Sequence, residues 1–272
     1  MMDYASEKKY GYGLALSGGV TRCFAHLGVL QALEEREIRP DIISAVSAGA
    51  IVAALYADGR SPRDILKAIT SRKLLYYLQF SLVKKGLMQM TGFEKSMKEL
   101  LSVTRIEELK IPMIIYTVNL NKAEYTGFST GELIPVIKAS CSLPIIFPPV
   151  KIEEDYHVDG GVINNFPIDP LIGHCQTLIG VNVNPIGKVA RIGGALWMAE
   201  RIFKLLVRSH TLGRKLECDY FIEPPGLITH GLLEMSKAQE IFDLGYDEAM
   251  RVLENPPLKV VSHDHQPQSF NK

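Results

Sequence analysis

Neither sign of charge prevails in this chain: Lys+Arg and Asp+Glu each total 30, so the formal net charge is zero. That removes the bulk attraction by which basic proteins hold nucleic acid, and no nucleic-acid partner is expected. Cysteine is scarce. Cys23, Cys141, Cys175 and Cys218 are scattered without Cys-x-x-Cys spacing, which argues against a disulfide framework or a thiolate metal site. Free thiols in a reducing compartment fit better; no metal and no cofactor is expected. The opening run MMDYASEKKYGYG lacks the apolar stretch of a secretory signal. No window approaches the roughly 18 consecutive apolar residues of a membrane-spanning helix. The expectation is a cytoplasmic protein, soluble or at most membrane-peripheral. None of these features fixes an oligomeric state.

What the chain does have is apolar substance. It carries 272 residues, 47% of them hydrophobic, with 22 Gly and 15 Pro, enough for one compact α/β domain with a substantial core. Ends poor in apolar residues read as tails at 1–9 and 259–272, leaving a single domain at 10–258 without repeat or linker. Apolar or β-branched runs predict strands at Gly13–Ser17, Asp41–Val46, Met113–Leu120, Tyr156–Asp159, Leu178–Asn184 and Tyr220–Glu223. Helices are predicted at Arg22–Glu37, where Phe24, Leu27, Leu30 and Leu33 recur at helical spacing, at Ala48–Ala57, and near Leu133–Ser140. NKAEYTGFSTG reads as a hairpin turn. Alternating strands and helices predict a mainly parallel sheet covered on both faces, with ligands at the carboxyl ends of its strands.

Two glycine-containing corners lie at such ends. In DIISAVSAGAIVAALYADG, Ser47 falls where a strand turns into a helix, a corner that holds a serine hydroxyl exposed above the sheet. A serine in an ordinary turn is the plainer alternative, and Ala45 occupies the first glycine position of the usual G-x-S-x-G. In LALSGGVTRCFAHLGVL, Gly18, Gly19 and Val20 form a loop of backbone N–H donors suited to an oxyanion. Positive φ at the two glycines would aim those donors, and Arg22 follows in the first helical turn. A plain tight turn remains the alternative; Walker and dinucleotide fingerprints are not matched. Asp159, in YHVDGGVINNFPI, is the candidate base, although Asp-Gly is also a common hairpin signature. Its unperturbed pKa near ~3.9 makes a carboxylate a feeble base for an alcohol, so burial would have to raise it. His174, His210 and His230 follow in the order a Ser–Asp–His triad requires, and none has a comparable strand-end context; His26 reads as a packed helix residue. Leu74–Met90 reads either as an ordinary core helix or as an apolar flap over an acyl-chain site, and Leu196–Val207 as a core helix.

Taken together these blocks resemble the patatin-like phospholipases of the compact bacterial type, over most of residues 11–250. LSGGVTRCFAHLGVLQAL is similar to the family's glycine-rich oxyanion block, DIISAVSAGA to its nucleophile block, and KASCSLPIIFPPV to the segment before its last catalytic strand. VDGGVINNFP is similar to the block that supplies its aspartate, with Asn165 and Pro167 in place. The resemblance implies a three-layer α/β/α fold and a lipid or acyl-ester substrate hydrolysed by a Ser47–Asp159 dyad through an acyl-enzyme. It implies an oxyanion hole at Gly18, Gly19, Val20 and Arg22. Val20, Cys23 and Ala45 depart from the family, which has glycine or a small residue at those positions, and β-branched Val20 restricts its own φ. A catalytically weak lipid- or partner-binding relative and a triad esterase stay open as alternatives.

Overall fold

The computed structural model describes residues 8–71, 81–82, 88–90, 92–188, 192–194, 213–231, 234–255 and 257, with isolated positions between 198 and 211. Its strands are β1 (Tyr10–Leu16), β2 (Ile42–Val46), β3 (Ser81–Leu82), β4 (Met88–Gln89), β5 (Met113–Asn119), β6 (Glu124–Phe128), β7 (Val150–Ile152), β8 (Asp155–Asp159), β9 (Cys175–Val181) and β10 (Tyr220–Ile222). β3 and β4 pair apart from the rest; the others form one mixed sheet in the order β10-β9-β1-β2-β5-β8-β7, with β6 pairing β5 off this path. β10, β9, β1, β2 and β5 are mutually parallel. Their central members are apolar and buried at consecutive positions, as strands covered on both faces must be.

Registers around β5 position the site. One side of β5 pairs antiparallel with β6 over residues 115–119. The opposite side is shared: β2 takes Met113 to Tyr116 and β8 takes Thr117 to Asn119. β2 runs with β5 and β8 runs against it, so the two strands approach each other end to end. Their carboxyl ends meet where Val46 opposes Tyr116 and Asp159 opposes Thr117.

The described helices are α1 (Phe24–Glu35), α2 (Ala48–Ala57), α3 (Pro62–Thr70), α4 (Phe93–Leu100), α5 (Leu133–Ser140) and α6 (Ala238–Leu253). Side chains alternate across each strand. Leu14, Leu16, Ile43 and Ala45 therefore join the main core with Leu27, Leu30 and Phe242, while Ala15 and Ile42 face a smaller cluster closed by Phe166, Ile168 and Leu171.

Several expected boundaries move. A 3₁₀ turn at Val20–Cys23 precedes α1, which starts at Phe24 rather than Arg22. EYTGF is not turn but strand β6; the turn is confined to the residues before it. β9 lies three residues earlier than Leu178–Asn184: pairing with β1 begins at Cys175, opposite Tyr10, and ends at Val181, opposite Leu16. Most of Leu74–Met90 and of Leu196–Val207 lies outside the described residues, as do nearly all of the two tails. No described helix is long and apolar enough to cross a membrane.

Candidate active site

Ser47 caps α2 with φ 55° and ψ −136°, a region that residues with a β-carbon avoid. Surrounding contacts impose it. The Ser47 N–H donates to Ser140 Oγ at 2.8 Å, and that hydroxyl donates to the Tyr116 carbonyl at 2.7 Å. α5 thus ties the corner to β5. Gly49 lets α2 seat closely, since a Cβ there would stand 2.4 Å from the Ser17 carbonyl oxygen. The Ala45 methyl is accommodated in the core, fully buried.

Asp159 ends β8 and faces this corner. The Ser47 hydroxyl donates to Asp159 Oδ2 at 2.6 Å, and the Gly161 N–H donates to Oδ1 at 2.7 Å. Gly160–Val162 is a 3₁₀ turn capped by the aspartate, so the Asp-Gly pair does not mark a hairpin here. The residue is 4% exposed, and burial lifts its pKa to about 6 against the lowering pull of its two hydrogen bonds. Such a carboxylate is ionised at neutral pH yet closer in basicity to an effective proton acceptor.

The glycine loop lies against the same corner: a Cβ on Gly18 would come 2.7 Å from Ser47 Cβ. Positive φ falls not on Gly18 or Gly19 but on Val20, at 50°; Gly19 is extended at φ 174°. The glycines are needed for close approach instead, Gly18 to Ser47 and Asn165, Gly19 to Val183. The Gly18 carbonyl accepts from Asn184 Nδ2 at 2.6 Å and Asn165 Nδ2 at 3.3 Å. In a trans peptide that turns the Gly19 N–H the opposite way. Among the described residues, no hydrogen bond engages the N–H groups of Gly18, Gly19 or Val20. Arg22 lies 5% exposed with its guanidinium donating to the His230 carbonyl at 2.7 Å, bracing the loop against the 225–230 turn.

No described histidine bonds to Ser47 or Asp159. His174 is exposed at the amino end of β9, the opposite edge of the sheet from Ser47. The His230 ring faces the Gly226 carbonyl and the Glu240 carboxylate, and His210 lies outside the described residues. His26 is fully buried, its Nε2–H donating to the Ser17 carbonyl at 2.8 Å, and burial lowers its pKa to about 4. It shapes the loop as a neutral donor. Burial also pushes the Cys23 thiol up to about 12 and raises Cys141, near Asp159, well above the usual thiol range, which keeps both protonated and poor nucleophiles. All four cysteines are free. Among the described residues no group of three or more His, Cys, Asp or Glu is placed to hold a metal ion.

Sequence reasoning missed Ser140 and Asn184. Ser140 lies in the KASCS block and carries no chemistry of its own, so only the fold reveals its hold on the Ser47 amide.

A strand-to-helix serine hydrogen-bonded to a buried aspartate beside a loop of unengaged N–H groups has the form of a serine hydrolase site. The patatin-like phospholipase family model matches residues 14–172, and the chain belongs to that family. An uncharacterised NTE family protein of Mycobacterium bovis is 30% identical over 174 residues, covering 63% of this chain and 48% of that protein. Patatin-like phospholipase domain-containing protein 6 of Mus musculus is 32% identical over 165 residues, 57% of this chain and 12% of that protein. The chain thus spans about half the length of the mycobacterial relative. Among solved structures, VipD from Legionella pneumophila superposes with a TM-score of 0.50 at 17% identity, covering 90% of this chain and 67% of that one; that likeness speaks to the fold.

Proposed function

We propose that this protein is a lipid acyl hydrolase working through a Ser47–Asp159 dyad. Asp159 Oδ2 takes the Ser47 proton as Oγ attacks the ester carbonyl. Negative charge on the former carbonyl oxygen is met by the Gly18–Val20 N–H groups, and the protonated Asp159 hands its proton to the departing alcohol. Water then attacks the acyl-Ser47 ester, Asp159 takes its proton, and collapse releases the fatty acid and returns the proton to Ser47. The observation that carries this reading is the 2.6 Å Ser47–Asp159 hydrogen bond, made with no histidine between them. Four free thiols support a reducing, cytoplasmic setting, and a lipid substrate implies work at a membrane face.

Labelling with a fluorophosphonate, read by intact mass, tests the proposal. One adduct on the wild type and none on Ser47→Ala is the expected result, together with hydrolysis of p-nitrophenyl esters and phospholipid. No adduct, or an adduct on another serine, would favour the second reading, a catalytically weak lipid-binding relative. The observation on its side is Val20, a β-branched residue in the left-handed region of the oxyanion loop.

A further inference from the structure

Directly after Ser142 the chain runs Leu143-Pro144-Ile145-Ile146-Phe147-Pro148-Pro149-Val150, without one polar side chain. Such a run belongs in a core, yet Ile145 is 90% exposed and Ile146 39%, and Pro148 and Pro149 are exposed as well. Ile145 takes φ 73°, a conformation β-branched residues shun. The N–H groups of Ile146 and Phe147 both bond back to the Leu143 carbonyl, at 3.2 and 2.9 Å. This turn holds the isoleucine out in solvent.

The tip adjoins the dyad. Ser142, whose carbonyl accepts the Asp159 N–H at 3.0 Å, is three residues before Ile145, a reach of at most about 11 Å. Val20, Val162 and Ile163, each more than a third exposed, stand on the loops that carry the N–H donors and follow Asp159.

Beside the tip opens a cleft of about 1100 Å³ that shares Pro148 and Pro149 with it; neither Ser47 nor Asp159 lines it. Its walls carry Lys95, Lys98, Lys138 and Lys151 against Glu94 and Glu99. Lys138 pairs with Glu94 at 2.7 Å, and Lys151 reaches Glu154 outside the cleft at 3.2 Å. Among the described residues the neighbourhood therefore has a surplus of one or two positive charges in a chain of zero net charge.

We propose that the 143–150 loop and the lysines beside it form a docking surface for an anionic phospholipid bilayer. The isoleucines enter the acyl boundary while the lysines meet lipid phosphates, which brings the carboxyl edge of the sheet onto the membrane. Apolar tip and cationic flank together favour this occupant over a protein groove. The proposal rests on the acyl-hydrolase reading for what docking serves; docking itself is measurable without turnover.

Flotation of Ser47→Ala protein with phosphatidylcholine vesicles, with and without phosphatidylserine, tests it. Each surplus charge is worth roughly fivefold, so anionic vesicles should bind roughly 5–25-fold tighter than neutral ones. Ile145→Asp with Ile146→Asp should weaken binding at least about tenfold with an unchanged circular dichroism spectrum. Lys98→Glu should weaken binding to the anionic vesicles alone. Undiminished binding by the double isoleucine variant, or equal binding to both vesicle types, would overturn the proposal. So would self-association on gel filtration that Ile145→Asp abolishes, which would make a second copy the occupant. Vesicle binding by a wild type that hydrolyses no ester would sink the dyad and leave docking standing; ester hydrolysis without vesicle binding would do the reverse.

Discussion

Asp159→Asn exchanges one oxygen for an amide nitrogen where both carboxylate oxygens are engaged. Oδ1 can keep the Gly161 N–H, and the Ser47 hydroxyl can turn from donating to Oδ2 to accepting from the new amide. What disappears is a charge that burial disfavours, lifting the carboxyl from its ordinary 3.8 to about 6. With the folded value above the unfolded one, the stability Asp159 contributes is fully present below about pH 3.8 and is lost as pH rises through about 6. Two pKa units at about 1.4 kcal/mol each set that loss near 3 kcal/mol at pH 8. The asparagine variant escapes it. Allowing for imperfect replacement of the hydrogen bonds, it should exceed the wild type by roughly 1–3 kcal/mol at pH 8, or about 2–6 °C in Tm. By about pH 4 the advantage should have fallen by about 2.5 kcal/mol, leaving the variant between level with the wild type and roughly 1.5 kcal/mol less stable. Turnover should meanwhile fall by roughly 10²–10⁴-fold with the proton acceptor gone. Urea and thermal unfolding from pH 4 to 8, beside ester hydrolysis at each pH, read both effects. A folded variant less stable than wild type at pH 8, or a difference indifferent to pH, would refute the reasoning that an ionised Asp159 is held at a cost.

Ser140→Ala strands the Ser47 N–H and the Tyr116 carbonyl, so urea unfolding should show a loss of about 1–3 kcal/mol, and kcat should fall more than KM changes; an unaltered kcat would show the anchor dispensable. Val20→Gly should keep or raise kcat at nearly unchanged stability, because relief of about 1–2 kcal/mol of left-handed strain is offset by a freer unfolded chain; a tenfold drop in kcat in folded protein would mean the valine side chain itself is needed. The acid limb of kcat/KM should fall near pH 6, where burial sets the Asp159 carboxyl, and should persist in His174→Ala, His210→Ala and His230→Ala; its loss in one of them would install a histidine base.

The strands and helices nearest the site were legible because each is a short local signal. Ala48–Ala57 and Leu133–Ser140 form over the predicted residues, since an apolar run bounded by turn residues needs no partner to declare itself. α6 was missed although Ile241, Phe242, Gly245 and Ala249 mark its buried stripe; charged residues between them mask the period when the run is read linearly. β7 has only three residues, and its pairing with β8 decides it. The chemistry of the loop was legible while its geometry was not. Glycine in a sequence suggests positive φ, but Gly18 and Gly19 answer a packing demand from Ser47, Asn165 and Val183 that lie far off in the chain.

The distribution of backbone strain follows the same division. Six described non-glycine residues take positive φ. Glu37 lies just past α1, in the turn where the Ile38 N–H bonds back to the Leu33 carbonyl, and Ala123 and Glu153 sit in the tight turns of the β5–β6 and β7–β8 hairpins. The other three, Val20, Ser47 and Ile145, fall on three separate loops around one carboxylate, and two of them are β-branched. Selection for stability alone would favour an amide at 159. That departure from the optimum lies where β2 and β8 run into each other along β5, beside the strained Ser47 corner.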